Sequence, residues 1–185
     1  MADADSIAFA AAAGREGLEC VLVGGNAVNL YASHRTTFDV DLLIREGDAA
    51  RWTSFFEQRG YRIFHGTRNF IRMHFAADPV KALPVDLMLA DERTFAKIHA
   101  ESERREVSAG IELAIPNPLH LIAMKLHALK SQARIARGAD FQDVLHLIRT
   151  AKINVHSPEF KEVLTRYASE TIRAKLVSEL ADAGQ

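Results

Sequence analysis

Two aspartates, Asp39 and Asp41, stand two positions apart in an apolar stretch of the sequence. The stretch, residues 38–44, reads FDVDLLI, and a β-strand with this alternation presents both carboxylates on one face and apolar side chains on the other. Burying neighbouring carboxylates costs free energy unless a positive charge lies between them. Because carboxylate oxygens are ligands that Mg2+ and Mn2+ prefer, the pair predicts a divalent metal site.

A pair of glycines, Gly24 and Gly25, precedes the aspartates. An apolar run predicts a strand over residues 18–23, and the spacing of apolar residues predicts a short helix over 26–32. Glycine lets the backbone approach a ligand closely, and the start of a helix offers free N–H groups and a positive dipole end. Next to a metal-binding strand, such a turn could bind a polyphosphate that is bridged to the strand by the metal ion. Either motif alone is more simply a tight turn or a solvated edge strand, whereas the two together favour a functional site.

A third carboxylate, Asp86, lies in residues 81–89, KALPVDLML, which predict a later strand. Pro84 favours an edge position or a bulge near the start of that strand. Taken alone, Asp86 is a surface residue of an edge strand. Beside the upstream pair, it is interpreted as the third member of a carboxylate set that suits phosphoryl transfer with bound metal.

The rest of the sequence predicts helices, hairpins and a helical C-terminal region. Helices are predicted over residues 6–15, 48–59, 91–100, 119–134, 140–149, 157–167 and 170–181, and hairpins over 61–65 with 69–75 and over 105–107 with 111–115. A boundary is marked by Asn117 as a helix cap and Pro118 at the first helical position. We therefore expect an α/β core over residues 1–115 and a helical region over 116–185.

Two charged residues of the helical region are candidates for the site. Lys125 lies at the border of an apolar stripe, where a lysine commonly extends its stem over apolar surface, so Lys125→Ala is expected to change stability little. Asp140 borders the apolar face of the following helix and has an alternative role as its N-cap. Asp143 is expected to point away from that face.

Composition narrows the class of protein. The chain has 185 residues, 48% of them hydrophobic, and a net charge of −1, so it lacks the overall basic field that drives non-specific binding of nucleic acids. The single cysteine, Cys20, excludes an internal disulfide and a thiolate metal site and fits a core position in a reducing compartment. The acidic, alanine-rich start and the lack of a bilayer-length apolar run predict a cytoplasmic protein without a membrane partner. The histidines lack ligand spacing, and only His74 invites a test, because its strand is expected to flank the site.

The joined motifs resemble the nucleotidyltransferase superfamily of DNA polymerase beta, most closely its AbiEii-like toxins and minimal nucleotidyltransferases. The similarity extends over roughly residues 17–147 and is carried by the order Gly24-Gly25, then Arg35-x-Thr37-x-Asp39-x-Asp41. Many members have Gly-Ser at the turn. Here Gly25 stands at the second position, so backbone N–H groups, or Asn26, must replace the serine hydroxyl at a phosphate.

The resemblance implies an α/β (α+β) fold, in which a small mixed β-sheet core has flanking helices and a C-terminal helical part. It implies metal binding by Asp39, Asp41 and Asp86, with Asp86 also helping to deprotonate the attacking hydroxyl. It implies triphosphate contact by Lys125, in a helix followed by Arg134, Arg137 and Asp140. The full set of nucleotide-binding residues that it implies is Gly24, Gly25, Asn26, Arg35, Thr37, Lys125 and Asp140.

The implied activity is Mg2+- or Mn2+-dependent transfer of a nucleoside monophosphate from an NTP to a hydroxyl of RNA, such as a tRNA end, or of a protein. The resemblance also implies a toxin that is neutralised by an antitoxin protein. A catalytically inactive nucleotidyltransferase-like binding or regulatory module is the alternative, against which the three aspartates argue. A hydrolase of the haloacid-dehalogenase type is disfavoured, because its D-x-D follows the first strand directly.

Overall fold

The computed structural model describes residues 2–32, 35–78, 81–131, 135 and 138–182. The chain packs as two compact units. The first comprises Met1–Leu30 and Arg35–Asn117, and the second comprises Tyr31–His34 and Pro118–Gln185. The division into an α/β core over 1–115 and a helical region over 116–185 stays a prediction.

A mixed β-sheet of seven strands, counted over the described residues, forms the centre of the first unit. In chain order the strands are β1 (Val21–Leu22), β2 (Val40–Arg45), β3 (Tyr61–Thr67), β4 (Phe70–Phe75), β5 (Val85–Ala90), β6 (Glu103–Ser108) and β7 (Ile111–Ile115). Across the sheet they lie in the order β3-β4-β5-β2-β1-β7-β6. Strand β2 is parallel to β5, and β1 is parallel to β7, whereas all other neighbours are antiparallel. This architecture confirms the predicted α/β class with a small mixed sheet.

Strand β2 lies inside the sheet, which explains its sequence. Val40, Leu42 and Ile44 are completely buried, and the strand pairs with β1 on one side and β5 on the other. It begins two residues later than predicted, and Phe38, expected within it, is 75% exposed. The reason is that the chain just before Val40 is hydrogen-bonded to the side chain of Asn26 and not to a neighbouring strand.

The glycine turn was predicted in the right place, with flanking elements of the right type but different bounds. The strand expected over residues 18–23 pairs only at Val21–Leu22, although Leu18 and Cys20 are buried as its apolar pattern requires. The helix expected over 26–32 is α2, Gly24–Asn29. It starts earlier because Gly24 adopts a positive φ of +65°, which turns the chain out of β1 at once.

Three longer helices belong to the first unit. They are α1 (Ala2–Arg15), α3 (Ala49–Glu57), which follows a 3-10 turn at Glu46–Asp48, and α4 (Glu92–Ala100). Trp52, Phe55 and Phe56 of α3 are buried, as its helical spacing predicted. The predicted capping side chain of Asp48 makes no cap hydrogen bond and instead pairs with Arg51 at 3.0 Å.

The second unit is helical. Its elements are α5 (Pro118–Ala128), α6 (Ala139–Thr150), α7 (Pro158–Tyr167) and α8 (Glu170–Asp182). Helix α5 ends six residues before the predicted residue 134, and Arg134 and Arg137 lie outside the described residues. The apolar pattern misled the prediction because Leu129 is buried although it follows the last helical residue.

Cys20 is buried in the first unit, and burial raises the pKa of its thiol to about 12. At neutral pH it is therefore a protonated, unreactive core residue, as expected from the sequence. Within the described part of the chain, no helix has the length and apolar character needed to cross a membrane.

Candidate active site

Three aspartates converge on one face of the sheet. Asp39, Asp41 and Asp86 each offer one carboxylate oxygen, and these three oxygens lie within 4.8 Å of one another. Asp41 and Asp86 are direct partners in the parallel pair of β2 and β5, so they share a face. Asp39 lies one residue before the start of β2, and its carboxylate reaches the same group. The structure thus brings together the three carboxylates that the sequence singled out, and a set of oxygen donors this close fits a divalent cation such as Mg2+.

Arg72 of β4 supplies a positive charge to this group. Its Nε donates to Oδ1 of Asp86 at 2.7 Å, while its Nη2 donates to the other oxygen of Asp86 and to Oδ2 of Asp39 at 3.0 Å. The strand register places Arg72 directly opposite Asp86. Arg72 thus offsets part of the negative charge of Asp39 and Asp86, and a divalent cation bound among the three carboxylates would offset more of it.

Asp86 is the most deeply buried of the three carboxylates. Burial raises the pKa of Asp86 above its usual value, and the hydrogen bonds from Arg72 act in the opposite direction. The same hydrogen bonds raise the pKa of Arg72. Asp86 is therefore held in a fixed orientation and shielded from water by a bidentate arginine.

No role for Arg72 was predicted from the sequence. The relevant pattern is strand alternation, which places Arg72 and His74 on one face of a strand. What the sequence does not show is that β4 is the neighbour of β5 and that the register sets Arg72 beside Asp86.

The glycine turn lies directly against Asp41. A Cβ atom on Gly24 would stand 1.8 Å from Oδ2 of Asp41, and one on Gly25 would stand 2.5 Å from Cγ2 of Thr37. The backbone N–H of Val23 also donates to the carbonyl of Asp41 at 2.9 Å. Glycine is needed at both positions because the turn packs closely against Asp41 and against the loop that precedes its strand.

Asn26 fixes the segment that carries Asp39. Its Nδ2 donates to the carbonyl of Asp39 at 2.8 Å, and its Oδ1 accepts from the hydroxyl of Thr37 at 2.9 Å. Asn29, which sequence analysis missed, holds Arg35 in the same way, through its Nδ2 to the carbonyl at 2.8 Å and its Oδ1 from the backbone N–H at 3.1 Å. These side chains therefore position the loop, which favours the backbone N–H groups of the turn as the donors to phosphate.

Gly24→Ala is expected to remove metal binding and activity. The new methyl group would overlap the carboxylate of Asp41, and the positive φ would add roughly 1–2 kcal/mol of strain for a non-glycine residue. Isothermal titration with Mn2+ and the thermal midpoint together measure both effects. Gly47→Ala is the matched control, because a Cβ there meets no atom within 4 Å. Normal Mn2+ affinity in Gly24→Ala would show that the turn does not constrain Asp41.

Arg72→Met is expected to destabilise the metal-free protein by roughly 1–3 kcal/mol, because Asp39 and the buried Asp86 lose their counter-charge while the site remains partly open to solvent. Saturating Mg2+ should restore part of that loss, since a bound cation replaces the missing charge. Urea unfolding with and without MgCl2 measures both quantities. Arg68→Met, in the adjacent turn, should change neither. Equal stability of wild type and Arg72→Met at every Mg2+ concentration would contradict the counter-charge role.

A second charged cluster lies inside the helical unit. Nζ of Lys125 contacts Oδ1 of Asp140 at 3.0 Å and Oδ2 of Asp143 at 2.7 Å. The three side chains are only 7%, 9% and 2% exposed, respectively. Lys125 thus does not extend over the surface, and the expectation that Asp143 points away from the buried face was wrong. The N-cap alternative for Asp140 was also wrong, because Gly138 is the N-cap of α6.

The helical spacing explains the error about Asp143. Asp140 and Asp143 are three residues apart, so they can face the same neighbouring helix, and a lysine from α5 lies between their carboxylates. The cationic partner allows both carboxylates to be buried. The periodicity of α6 alone predicted an exposed Asp143 because it could not reveal a charged residue on the opposing helix.

Nucleotidyltransferases are the class of protein that this fold and this site define. An antigenic nucleotidyltransferase-like protein from Paracoccidioides brasiliensis superposes with a TM-score of 0.61 at 17% identity, over 96% of this chain and 88% of that one. ANT(2'')-Ia in complex with adenylyl-2''-tobramycin gives 0.60 at 17% identity, over 93% and 94%. The Megavirus polyadenylate synthase gives 0.54 at 12% identity, over 79% of this chain and 30% of that one. At these identities the similarity concerns the fold.

The chain belongs to the family described as Nucleotidyl transferase of unknown function (DUF2204), whose model matches residues 5–178. The superfamily and the enzyme class predicted from the sequence are thereby confirmed. Among curated proteins, none matches the sequence significantly.

Proposed function

We propose that this protein transfers a nucleoside monophosphate from an NTP to an acceptor hydroxyl, with Mg2+ or Mn2+ held by Asp39, Asp41 and Asp86. The observation that carries the proposal is the convergence of three carboxylate oxygens within 4.8 Å, two of them from the adjacent strands β2 and β5 and the third from the residue just before β2. The donor set contains oxygen only, as Mg2+ prefers, and Mg2+ sites commonly combine a few carboxylates with substrate phosphates. Membership of a nucleotidyl transferase family supports the same reaction.

In the proposed reaction the acceptor oxygen attacks the α-phosphorus of the NTP. The bond from that phosphorus to the bridging oxygen breaks, pyrophosphate leaves, and the acceptor hydroxyl gives up its proton. Mg2+ bound at the aspartates would offset charge on the phosphates. Arg72 orients Asp86 towards the centre, where its carboxylate can accept the proton. The turn at Gly24 and Gly25 brings backbone N–H groups next to Asp41, where they can donate to phosphate oxygens.

The roles of Lys125 and Asp140 at the triphosphate stay predictions. In the structure the positive charge of Lys125 is already matched by the carboxylates of Asp140 and Asp143. A triphosphate contact by Lys125 would therefore require these buried ion pairs to open or to be shared.

Transfer is tested by incubating the protein with each of four α-32P-labelled NTPs, MgCl2 and either total RNA or a mixture of proteins. We expect label to appear in one class of acceptor, to disappear with EDTA and to be absent with Asp41→Asn. Binding of Mg2+ and NTP without transfer to any acceptor would contradict the proposal. That result would support the alternative of an inactive binding or regulatory module.

A toxin function with an antitoxin partner, and a cytoplasmic location, are supported only by the sequence resemblance and the composition. The toxin function is tested by expressing the wild type and Asp41→Asn from an inducible promoter in bacteria, and the location is tested by fractionating the same cells. If the protein is a toxin that acts by nucleotidyl transfer, expression of the wild type should arrest growth and expression of Asp41→Asn should not. Equal growth of the two strains would contradict this role without affecting the proposed chemistry.

A further inference from the structure

The β3–β4 hairpin beside the aspartates has an unusual composition. Residues 61–75 contain three arginines and no acidic residue, in a chain whose net charge is −1. Arg62 and Arg68 are exposed, and Arg72 pairs with the aspartates. Arg68, in the turn, makes no ion pair or hydrogen bond with any other described residue. The hairpin therefore presents a local positive surface next to the proposed active site.

A stacked ring pair stands on this hairpin. The pairing of β3 with β4 shifts between Ile63 and His65, so Phe64 is the extra residue of a bulge, a device that redirects a side chain. Phe64 stacks on the imidazole of His74 with ring centroids 4.3 Å apart and planes 5° from parallel. Phe64 nevertheless remains 69% exposed, so its outer ring face is open to solvent.

Stacking holds His74 in place. Its Nε2 atom is buried and makes no hydrogen bond among the described residues. The packing of the imidazole against Phe64 therefore orients the His74 ring, and among the described residues no hydrogen bond to Nε2 competes with this orientation. Exposed phenylalanines are ordinary as single residues, but a ring held flat by a second ring resembles a stacking platform.

The platform continues the row of active-site residues across the sheet. Arg72 and His74 are alternate residues of β4, so they share a face and stand roughly 7 Å apart along the strand. Arg72 contacts Asp86, which is paired with Asp41 on the next strand. A ligand whose reactive group lies at the aspartates can therefore reach Phe64 by extending over the hairpin towards the sheet edge.

We infer that this surface binds the acceptor and that the acceptor is a single-stranded nucleic acid. One base stacks on Phe64, and the backbone phosphates lie near Arg62 and Arg68. The inference rests on the proposed function and adds the class of acceptor to it. A flat ring favours bases because every base has a π-face, and arginines such as Arg62 and Arg68, which form no ion pair among the described residues, favour a polyanion and repel a cationic acceptor. A folded protein acceptor would need a larger apolar contact than a single exposed ring.

The test is fluorescence anisotropy with 5'-labelled 12-nucleotide single strands, one of RNA and one of DNA with the same sequence. Phe64→Ala should weaken binding roughly 5- to 160-fold, the range for loss of one stacked base. Phe64→Trp should retain binding. Ile63→Ala is the matched control, because Ile63 is 51% exposed on the same strand but pairs with Met73, on the opposite face from His74.

The electrostatic contribution of the arginines to nucleic-acid binding is measured separately, from its dependence on salt. Arg68→Gln should weaken binding of every sequence similarly and reduce the slope of log K against log salt by about 0.7, the value for one phosphate of a single strand. Binding of RNA alone, of DNA alone or of both supports the inference, and binding of only one of them identifies the natural acceptor.

Two results would overturn the inference. One is equal affinity of wild type and Phe64→Ala for both strands, and the other is failure of the wild type to bind either strand while it labels a protein acceptor. The second result leaves the proposed transfer reaction intact. Mn2+ and NTP affinities, measured by titration calorimetry, should be the same in Phe64→Ala and wild type. A loss of NTP affinity in Phe64→Ala would also count against the inference, because it would place Phe64 at the nucleotide instead.

Discussion

Asp41→Asn should reduce nucleotidyl transfer roughly 1000-fold or more, because it removes a carboxylate from the centre of the proposed metal site. The protein should remain folded, since the amide has nearly the same shape as the carboxylate. Without metal, the thermal midpoint should rise slightly, because one of three mutually repelling carboxylates becomes neutral. Single-turnover transfer from a labelled NTP and a thermal melt without metal measure the two effects. Asp39→Asn should lose activity equally, and the loss of its ion pair with Arg72 should offset the gain in stability from reduced repulsion.

Asp91→Asn provides a matched control for this experiment. Asp91 caps α4 by accepting a hydrogen bond from the backbone N–H of Thr94 at 2.9 Å, and asparagine caps helices equally well. The same chemical change at an exposed position should therefore leave activity unaltered. Full activity in Asp41→Asn would rule out metal binding by the three aspartates.

Lys125→Ala is expected to destabilise the protein by about 3–5 kcal/mol, the range for removing one partner of a buried ion pair. The destabilisation is expected because the carboxylates of Asp140 and Asp143 are buried and would lose their cationic neighbour. The sequence predicted little loss of stability, because it placed Lys125 at a solvated border. Urea unfolding measures the change. Lys130→Ala, at an exposed position after α5, should stay within about 0.5 kcal/mol of wild type.

A triple variant separates stability from nucleotide binding. Lys125→Met combined with Asp140→Asn and Asp143→Asn removes all three charges, and replacing a buried ionic group by neutral residues is often tolerated. If the triple variant is stable and binds NTP as wild type does, Lys125 has only a structural role. If it is stable but has lost NTP affinity, the contact with triphosphate implied by the sequence resemblance gains direct support. A destabilisation as large as that of Lys125→Ala would show that the unpaired carboxylates are not its cause, because the triple variant contains none.

Local sequence patterns predicted the features that depend on one element. Alternation placed Asp39 and Asp41 on one face, and the glycine pair marked the turn. The features that were missed depend on which elements become neighbours. The contact of Arg72 with Asp86 could be predicted only from the register of β4 against β5. The burial of Asp143 could be predicted only from the packing of α6 against the helix that carries Lys125. The bulge at Phe64 leaves no compositional signal, because it is a property of the pairing between two strands.

The parallel pairing of β2 with β5 has a consequence for how the molecule folds. The two strands are separated in the chain by α3 and a complete hairpin, so closing the loop between them carries an entropic penalty that local helices and hairpins avoid. A shift of one residue in this pairing would turn Asp86 to the opposite face, away from Asp41. An ion that requires both carboxylates can therefore bind only chains in which this long-range register has formed. During refolding, the uptake of Mn2+ should lag behind the recovery of helical circular dichroism, and the ion would report the last topological step of folding.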